Sequence, residues 1–191
     1  MAYLNQALVF LVDTLLGAYL VLVLLRLVLQ MTRADFYNPF AQFLVRATNP
    51  AVLPLRRIIP GFRGIDWASV LVLTLLMLAK VALDLWLAGQ SLSAAALAVL
   101  TLANLFQLVV YVFLVAVFIR AALSWINPYG QHPVGDLLEN LTEPLLFPAR
   151  KLVPPVGGFD LSPLLVVVIL ELTLILMVHP LLAYGYSLLG A

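Results

Sequence analysis

The 191-residue chain has no cysteine, two histidines and little charge. Without cysteine there is no disulfide framework, no thiol nucleophile and no thiolate metal site. His132 and His179 are expected on opposite membrane sides, which excludes a shared metal site, and His132 falls where a helix cap is needed. No Gly-rich phosphate loop follows a strand pattern, and no Ser–His–Asp arrangement stands out. No cofactor is implied, and the residues support a non-enzymatic protein. Charged residues make up 10% of the chain, against about 25% in a typical soluble domain. The net charge of +1 gives no reason to expect nucleic acid as a direct partner.

What is abundant is apolar: 64% of residues, gathered into four long runs at about Asn5–Leu29, Trp67–Leu87, Ala98–Leu123 and Leu161–Ala183. Each reaches the roughly 20 residues needed to cross a hydrocarbon core of about 30 Å. The first run has no basic residues before it and is too long for a signal-peptide core, so it reads as a retained span.

The sequence between the runs is duplicated. Residues 38–69 and 132–163 align without a gap, matching Pro39/Pro133, Thr48/Thr142, Pro50/Pro144, Pro54/Pro148, Arg56/Arg150, Pro60/Pro154, Gly64/Gly158 and Asp66/Asp160. Arg57 matches Lys151 in charge, and Arg26 and Arg120 keep the same register. A fixed period of this kind marks tandem units, expected at residues 1–94 and 95–191. With two spans in each, the units share one orientation. All ten Lys and Arg residues except Lys80 lie in the connectors or at the helix ends feeding them. Basic residues of short loops stay cytoplasmic. The expected topology is therefore a bacterial inner-membrane, multi-pass protein with cytoplasmic connectors and periplasmic termini.

Within the connectors, Val134, Leu137, Leu138, Leu141 and Leu145 recur at helical spacing, as do Phe40, Phe43, Leu44 and Ala47. Asn38 reads as an N-cap. Pro50, Pro54, Pro144 and Pro148 are expected to end regular helix, because each lacks an N–H donor and clashes one turn back. Asp66 and Asp160 read as caps for the helices that follow. The fold class is all-α and membrane-integral: two tandem helical hairpins, about four transmembrane helices, with amphipathic Pro-rich connectors on the cytoplasmic face.

The motif Thr-x-Pro-x3-Pro-x-Arg-[Arg/Lys]-x-[Ile/Val]-Pro, followed by Gly-x-Asp and a serine, occurs at Thr48–Ser69 and again at Thr142–Pro163. In this the chain resembles the YggT family of small bacterial and plastid membrane proteins. The resemblance implies links to osmotic tolerance and potassium handling in bacteria. In plastids it implies links to cytochrome b6 haem attachment and to nucleoid or division organisation. It carries over no catalytic residues. The first copy departs from the second where Asn49 stands for Glu143 and Arg63-Gly64 for Gly157-Gly158, which makes the second copy the expected seat of any duty at those positions.

Two groups of residues are candidate sites. Arg56, Arg57, Glu143, Arg150, Lys151 and Asp160 would present the connectors to the lipid bilayer, to anionic lipid or to a membrane-protein partner. Asp13, Lys80 and Glu171 fall roughly 16–21 Å from the cytoplasmic helix ends, where ionisable residues are costly and hence suspect. Lys80 is expected to pair with Glu171 or Asp13, or with Asp84 one turn away, either as an interhelical clasp or along an ion path. Arg26 and Arg120 are accounted for by topology and the helix dipole. The leading expectation is a scaffold or assembly factor. The alternative is a small oligomeric channel or transport accessory, for which a homo-oligomer is required.

Overall fold

All four apolar runs are helical, as Tyr3–Met31, Trp67–Leu87, Ala94–Ser124 and Ser162–Ser187, each long and apolar enough to cross a membrane. The computed structural model describes residues 2–32, 34, 37–126, 133–153 and 160–190, without the side chains of Ala2, Trp125, Ile126 and Pro133. The expected roles of His132, Pro154, Gly157 and Gly158 lie outside the described residues. In chain order the elements are α1 (Ala2–Met31), α2 (Pro39–Arg56), α3 (Trp67–Leu87), α4 (Ala94–Ile126), α5 (Pro133–Leu152), α6 (Ser162–Thr173) and α7 (His179–Ser187). A π-helical turn, Leu174–Val178, joins α6 to α7 as one span. Pro180 explains it: the ring has no N–H and would strike the carbonyl four residues back, and the wider turn relieves both.

The protein is an all-α molecule of two tandem hairpins. In the first, α1 packs on α3 and both pack on α2; in the second, α4 packs on α5, α6 and α7. The α3–α4 and α1–α4 contacts join the hairpins. A core of Leu20, Val23, Val72, Met77, Leu100 and Val112 spans the join. At about 1.5 Å per residue the longest helix, α4, is about 50 Å long. It is therefore longer than a 30 Å hydrocarbon core, with Arg120 in its last two turns. Beside the join lies an apolar hollow of about 360 Å³ lined by Val21 and Val115, Leu25 and Ile119, and Phe40 and Val134. Each pair is related by the repeat period, so the hollow lies where the two copies face one another.

The connector prolines do not end their helices: α2 runs through Pro50 and Pro54, and α5 through Pro144 and Pro148. Spaced four apart, both prolines of a pair fall on one exposed face, so the carbonyls they leave unbonded look outward. The opposite face supplies the compensation. Leu44/Leu138, Thr48/Thr142 and Val52/Leu146 are buried in matched register against the spans. In α2 this places the apolar stripe differently from the sequence expectation: Leu44 is buried, while Phe40 and Phe43 are exposed. Asn38 caps α2 by accepting from the Phe40 N–H at 2.9 Å.

Candidate functional site

The repeated motif is arranged around two arginines, Arg26 and Arg120, whose place at the helix ends topology and the helix dipole already explain. Arg26, on α1, is 4% exposed. Its Nη1 donates to Thr48 Oγ1 at 2.8 Å and to Asn49 Oδ1 at 3.0 Å. Thr48 can accept because its own hydroxyl proton goes to the Leu44 carbonyl, 2.6 Å away. The second repeat reproduces this bond for bond. Arg120 Nη1 donates to Thr142 Oγ1 at 2.8 Å, and Thr142 donates to the Leu138 carbonyl at 2.7 Å. In each copy, then, a guanidinium on the first span clasps the middle of the connector helix. The signal was present in the sequence, since Arg26/Arg120 and Thr48/Thr142 share one period, but nothing in it showed that these residues meet.

The two clasps differ in charge. Glu143 accepts from Arg120 Nη2 with one oxygen and from Arg150 Nη1 with the other, both at 2.8 Å. Arg150 Nε then donates to Asp160 Oδ2 at 3.0 Å, and Asp160 Oδ1 accepts from the Ser162 N–H at 2.9 Å. This chain of charge-assisted bonds links α4, α5 and the start of α6. Burial by itself lowers Arg150, but its carboxylate partners outweigh that and hold it above its ordinary value. Burial likewise raises Asp160, but Ser162 and Arg150 outweigh it and hold the carboxyl below the usual carboxylate range. Asp160 is not the N-cap it was expected to be: Leu161 holds that position without a side-chain cap bond, and Asp160, one residue earlier, takes the Ser162 N–H.

In the first repeat Asn49 cannot bridge two cations. Arg56 Nε stands 3.9 Å from Asp66 Oδ2, and Asp66 is fully buried. Asp66 caps α3 by accepting from the Ser69 hydroxyl at 3.0 Å and the Ser69 N–H at 3.5 Å. Between Arg56 and Asp66 the chain turns at Arg63-Gly64, with φ of 54° and 81° and reciprocal 3.1 Å bonds between Phe62 and Ile65. Two positive φ values make a type I′ turn, in which Gly64 is at ease and Arg63 is strained.

The connector residues picked from the sequence therefore divide. Glu143, Arg150 and Asp160 face one another, Arg56 leans toward Asp66, and Lys151 lies over the Phe147 ring at 4.3 Å. Arg57 makes no ion pair among the described residues. With Arg46, Asn49, Pro50, Leu53 and Pro54 it lines a groove of about 380 Å³ along the exposed face of α2.

A separate cluster lies within the spans. Lys80 Nζ is 2.5 Å from Asp13 Oδ1 and 2.9 Å from Asp84 Oδ2, tying α3 to α1. Asp13 is half-exposed in a cleft of about 410 Å³ that it shares with Asn5, Gln6 and Phe10. Glu171 is not brought to this cluster; it stands on the exposed face of α6 and makes no ion pair among the described residues. The positions matching Asp13, Lys80 and Asp84 in the second repeat are Gln107, Leu174 and Val178, so the cluster belongs to the first copy. Asn104, also within a span, is satisfied locally by the Leu100 carbonyl at 2.8 Å.

Comparison with known proteins agrees with this duplicated arrangement. The CCB3/YggT family model matches the chain twice, over residues 5–87 and 99–181. An uncharacterized protein of Pseudomonas aeruginosa is 43% identical over 182 residues, covering 94% of this chain and 92% of its own. A protein from the proC 3′ region of Vibrio alginolyticus is 42% identical over 170 residues, 88% of this chain and 91% of its own. The uncharacterized protein YggT of Escherichia coli K12 is 36% identical over 174 residues, 86% of each. No solved structure matches. With two family matches falling on two hairpins, each pinned by its own arginine clasp, this chain belongs to the CCB3/YggT family.

Proposed function

We propose that this protein is a non-enzymatic organising protein of the bacterial inner membrane. Its two units, residues 1–94 and 95–191, hold their connectors on the cytoplasmic face as rigid docking elements, with both termini periplasmic. The observation that carries this reading is the paired clasp, Arg26 on Thr48 and Arg120 on Thr142. A guanidinium spent on fixing the angle of an interfacial helix serves presentation of that helix. The outward faces suit contact with a membrane surface and its proteins: Phe43, Ile58, Phe62, Phe147 and Leu152 are exposed beside the basic residues.

A second reading, a small oligomeric channel or transport accessory, draws on Asp13, Lys80 and Asp84 at their cleft. The apolar core between the hairpins favours the first reading, because a route for ions would have to run between copies. Potassium flux into proteoliposomes separates the two. The organising reading expects flux equal to empty vesicles, and no change on Lys80→Met. Potassium flux that depends on the protein and is abolished by Lys80→Met overturns it. The absence of cysteine makes the topology directly measurable: Ile58→Cys should react with a membrane-impermeant maleimide only after the cells are opened, and Ser91→Cys from outside.

A further inference from the structure

The two connectors of one duplicated fold carry opposite charge. Residues 39–66 hold Arg46, Arg56, Arg57 and Arg63 against Asp66 alone, whereas residues 133–160 hold Arg150 and Lys151 against Asp136, Glu139, Glu143 and Asp160. Part of the difference falls in one stripe, where Arg46 matches Asn140 and Asn49 matches Glu143. Arg46, Asn49, Pro50, Leu53, Pro54 and Arg57 follow helical spacing and line the groove on α2. The matching stripe on α5 reads Asn140, Glu143, Pro144, Phe147, Pro148 and Lys151, with one cation and one carboxylate.

We propose that the α2 groove is a binding site for the phosphate of an anionic phospholipid, and that the second repeat has no such site. This rests on the connectors lying at the membrane surface, as proposed above. Arg46 and Arg57 close the two ends of the groove, both are exposed, and neither has an ion-pair partner among the described residues. Guanidinium groups suit phosphate because their N–H donors can meet its oxygens two at a time. Between them, Pro50 and Pro54 interrupt the hydrogen-bond ladder, leaving the carbonyls of Arg46 and Pro50 without helical donors. Those carbonyls can accept from headgroup hydroxyls, which favours a glycerol headgroup. Leu53 and Phe43, exposed on the same helix, give the acyl chains an apolar border. The source is a bilayer lipid and not free phosphate, since the groove lies on the exposed face of a connector helix joining two spans, with Phe40, Phe43 and Phe62 exposed nearby in the chain. Arg26 cannot take the role, because it is buried and committed to Thr48 and Asn49.

The test uses the full-length protein in nanodiscs of phosphatidylcholine with increasing phosphatidylglycerol, with retained lipid counted by native mass spectrometry after extraction. One phosphatidylglycerol per copy should be held in preference to phosphatidylcholine. Each nearby cation contributes about fivefold in affinity for an anionic surface, so Arg46→Gln with Arg57→Gln should weaken retention about thirtyfold. Both side chains are exposed and make no ion pair among the described residues, so the variant's unfolding midpoint should match the parent's. Asn140→Arg with Glu143→Asn, which gives the α5 stripe the charge pattern of α2, should create a second retained lipid, a gain that misfolding cannot imitate. Inorganic phosphate and glycerol phosphate at millimolar concentration should not displace the lipid; displacement by either makes the site one for a soluble anion and overturns the assignment to lipid. Equal retention by parent and double variant, or equal retention of phosphatidylcholine, also overturns it. Failure here leaves the organising reading standing if Ile58→Cys still labels from the cytoplasmic side. Labelling of Ile58→Cys from outside removes both.

Discussion

Replacing Thr48 and Thr142 separately by valine makes the same chemical change at two positions related by the internal repeat, in surroundings that differ in charge. In each case valine keeps the shape and removes the oxygen that accepts from arginine Nη1 at 2.8 Å. At Thr48 the donor is Arg26, nearly fully buried, whose remaining acceptor is the neutral Asn49 amide. Hydrogen bonds to charged groups contribute about 1.5–3 kcal/mol, and a buried donor left alone keeps its desolvation cost. Interhelical bonds in membrane proteins measure nearer the low end, because the unfolded chain also finds partners. The expected cost of Thr48→Val is therefore about 2 kcal/mol. At Thr142 the donor is Arg120, whose side chain is 19% exposed and keeps Glu143 at 2.8 Å and Glu139 at 3.6 Å. There the expected cost is about 0.5–1 kcal/mol.

Reversible unfolding in mixed micelles, followed by far-ultraviolet circular dichroism across a range of denaturing detergent, reads both values, provided the slopes agree. Asn49→Glu in the Thr48→Val background gives Arg26 the carboxylate that Arg120 already has, and should recover part of the loss. Equal costs at the two sites, or a larger cost at Thr142, would show that charge compensation does not distinguish the clasps and would refute the reasoning.

Three further outcomes are expected. Arg63→Gly should stabilise by about 0.5–1 kcal/mol in the same assay, because a left-handed L-residue costs about 1–2 kcal/mol and glycine returns part of that through chain entropy; a lower midpoint refutes it. Gly185→Leu should destabilise by about 1–3 kcal/mol, since even a Cβ there would lie 2.6 Å from Leu100 Cδ2 in the buried α4–α7 contact. Asp160→Asn should lower stability at neutral pH by an amount that vanishes in acid. The folded carboxyl sits below its ordinary value of 3.8, so its stabilisation is complete above that value and is lost as pH falls through the lower folded one. A difference between parent and variant that does not change with pH argues against the Asp160–Arg150 contact.

Much of this fold was legible because membrane helices and tandem repeats announce themselves in composition and period. The four runs and their pairing needed only length and hydropathy, and the caps at Asn38 and Asp66 needed only residue type and position. The prolines misled for a physical reason. The rule that proline ends a helix describes one helix in water, whereas α2 and α5 are held by Thr48 and Thr142 on the face opposite Pro50 and Pro144. Tertiary contact outweighed local preference. The sequence offered Lys80 three carboxylate partners, and which of them it met depended on helix rotation; the pair it makes ties α1 to α3 within the first hairpin and does not join the hairpins. Asp13 and Asp84 turn toward it and Glu171 turns away. Arg26 and Arg120 sit where topology alone would put a basic residue, and that adequate explanation concealed the bonds they make.

The departures of the first copy from the second take on a different meaning once the bonds are in view. In sequence, Asn49 and Arg63 look like loss from a motif that the second copy keeps better. In structure, Glu143 bridges Arg120 and Arg150, and with Glu139 and Asp160 it closes that connector electrostatically. Exchanging the glutamate for asparagine leaves the first connector with the same clasp geometry and a surplus of positive charge. A duplicated membrane protein can divide its work this way because the clasp that positions each connector needs only arginine and threonine. The neighbouring positions are then free to set the charge of the surface presented. The second connector is the better-tied half, and the first is the half with cations to spare for an anionic partner. The side chain at position 49 links the two properties, because it both accepts from the clasp arginine and lines the groove beside Arg46 and Arg57. Asn49→Glu should therefore have two opposite effects: firmer unfolding of the first hairpin, and weaker retention of anionic lipid on α2. A variant in which both rise or both fall together would break the link between clasp and groove.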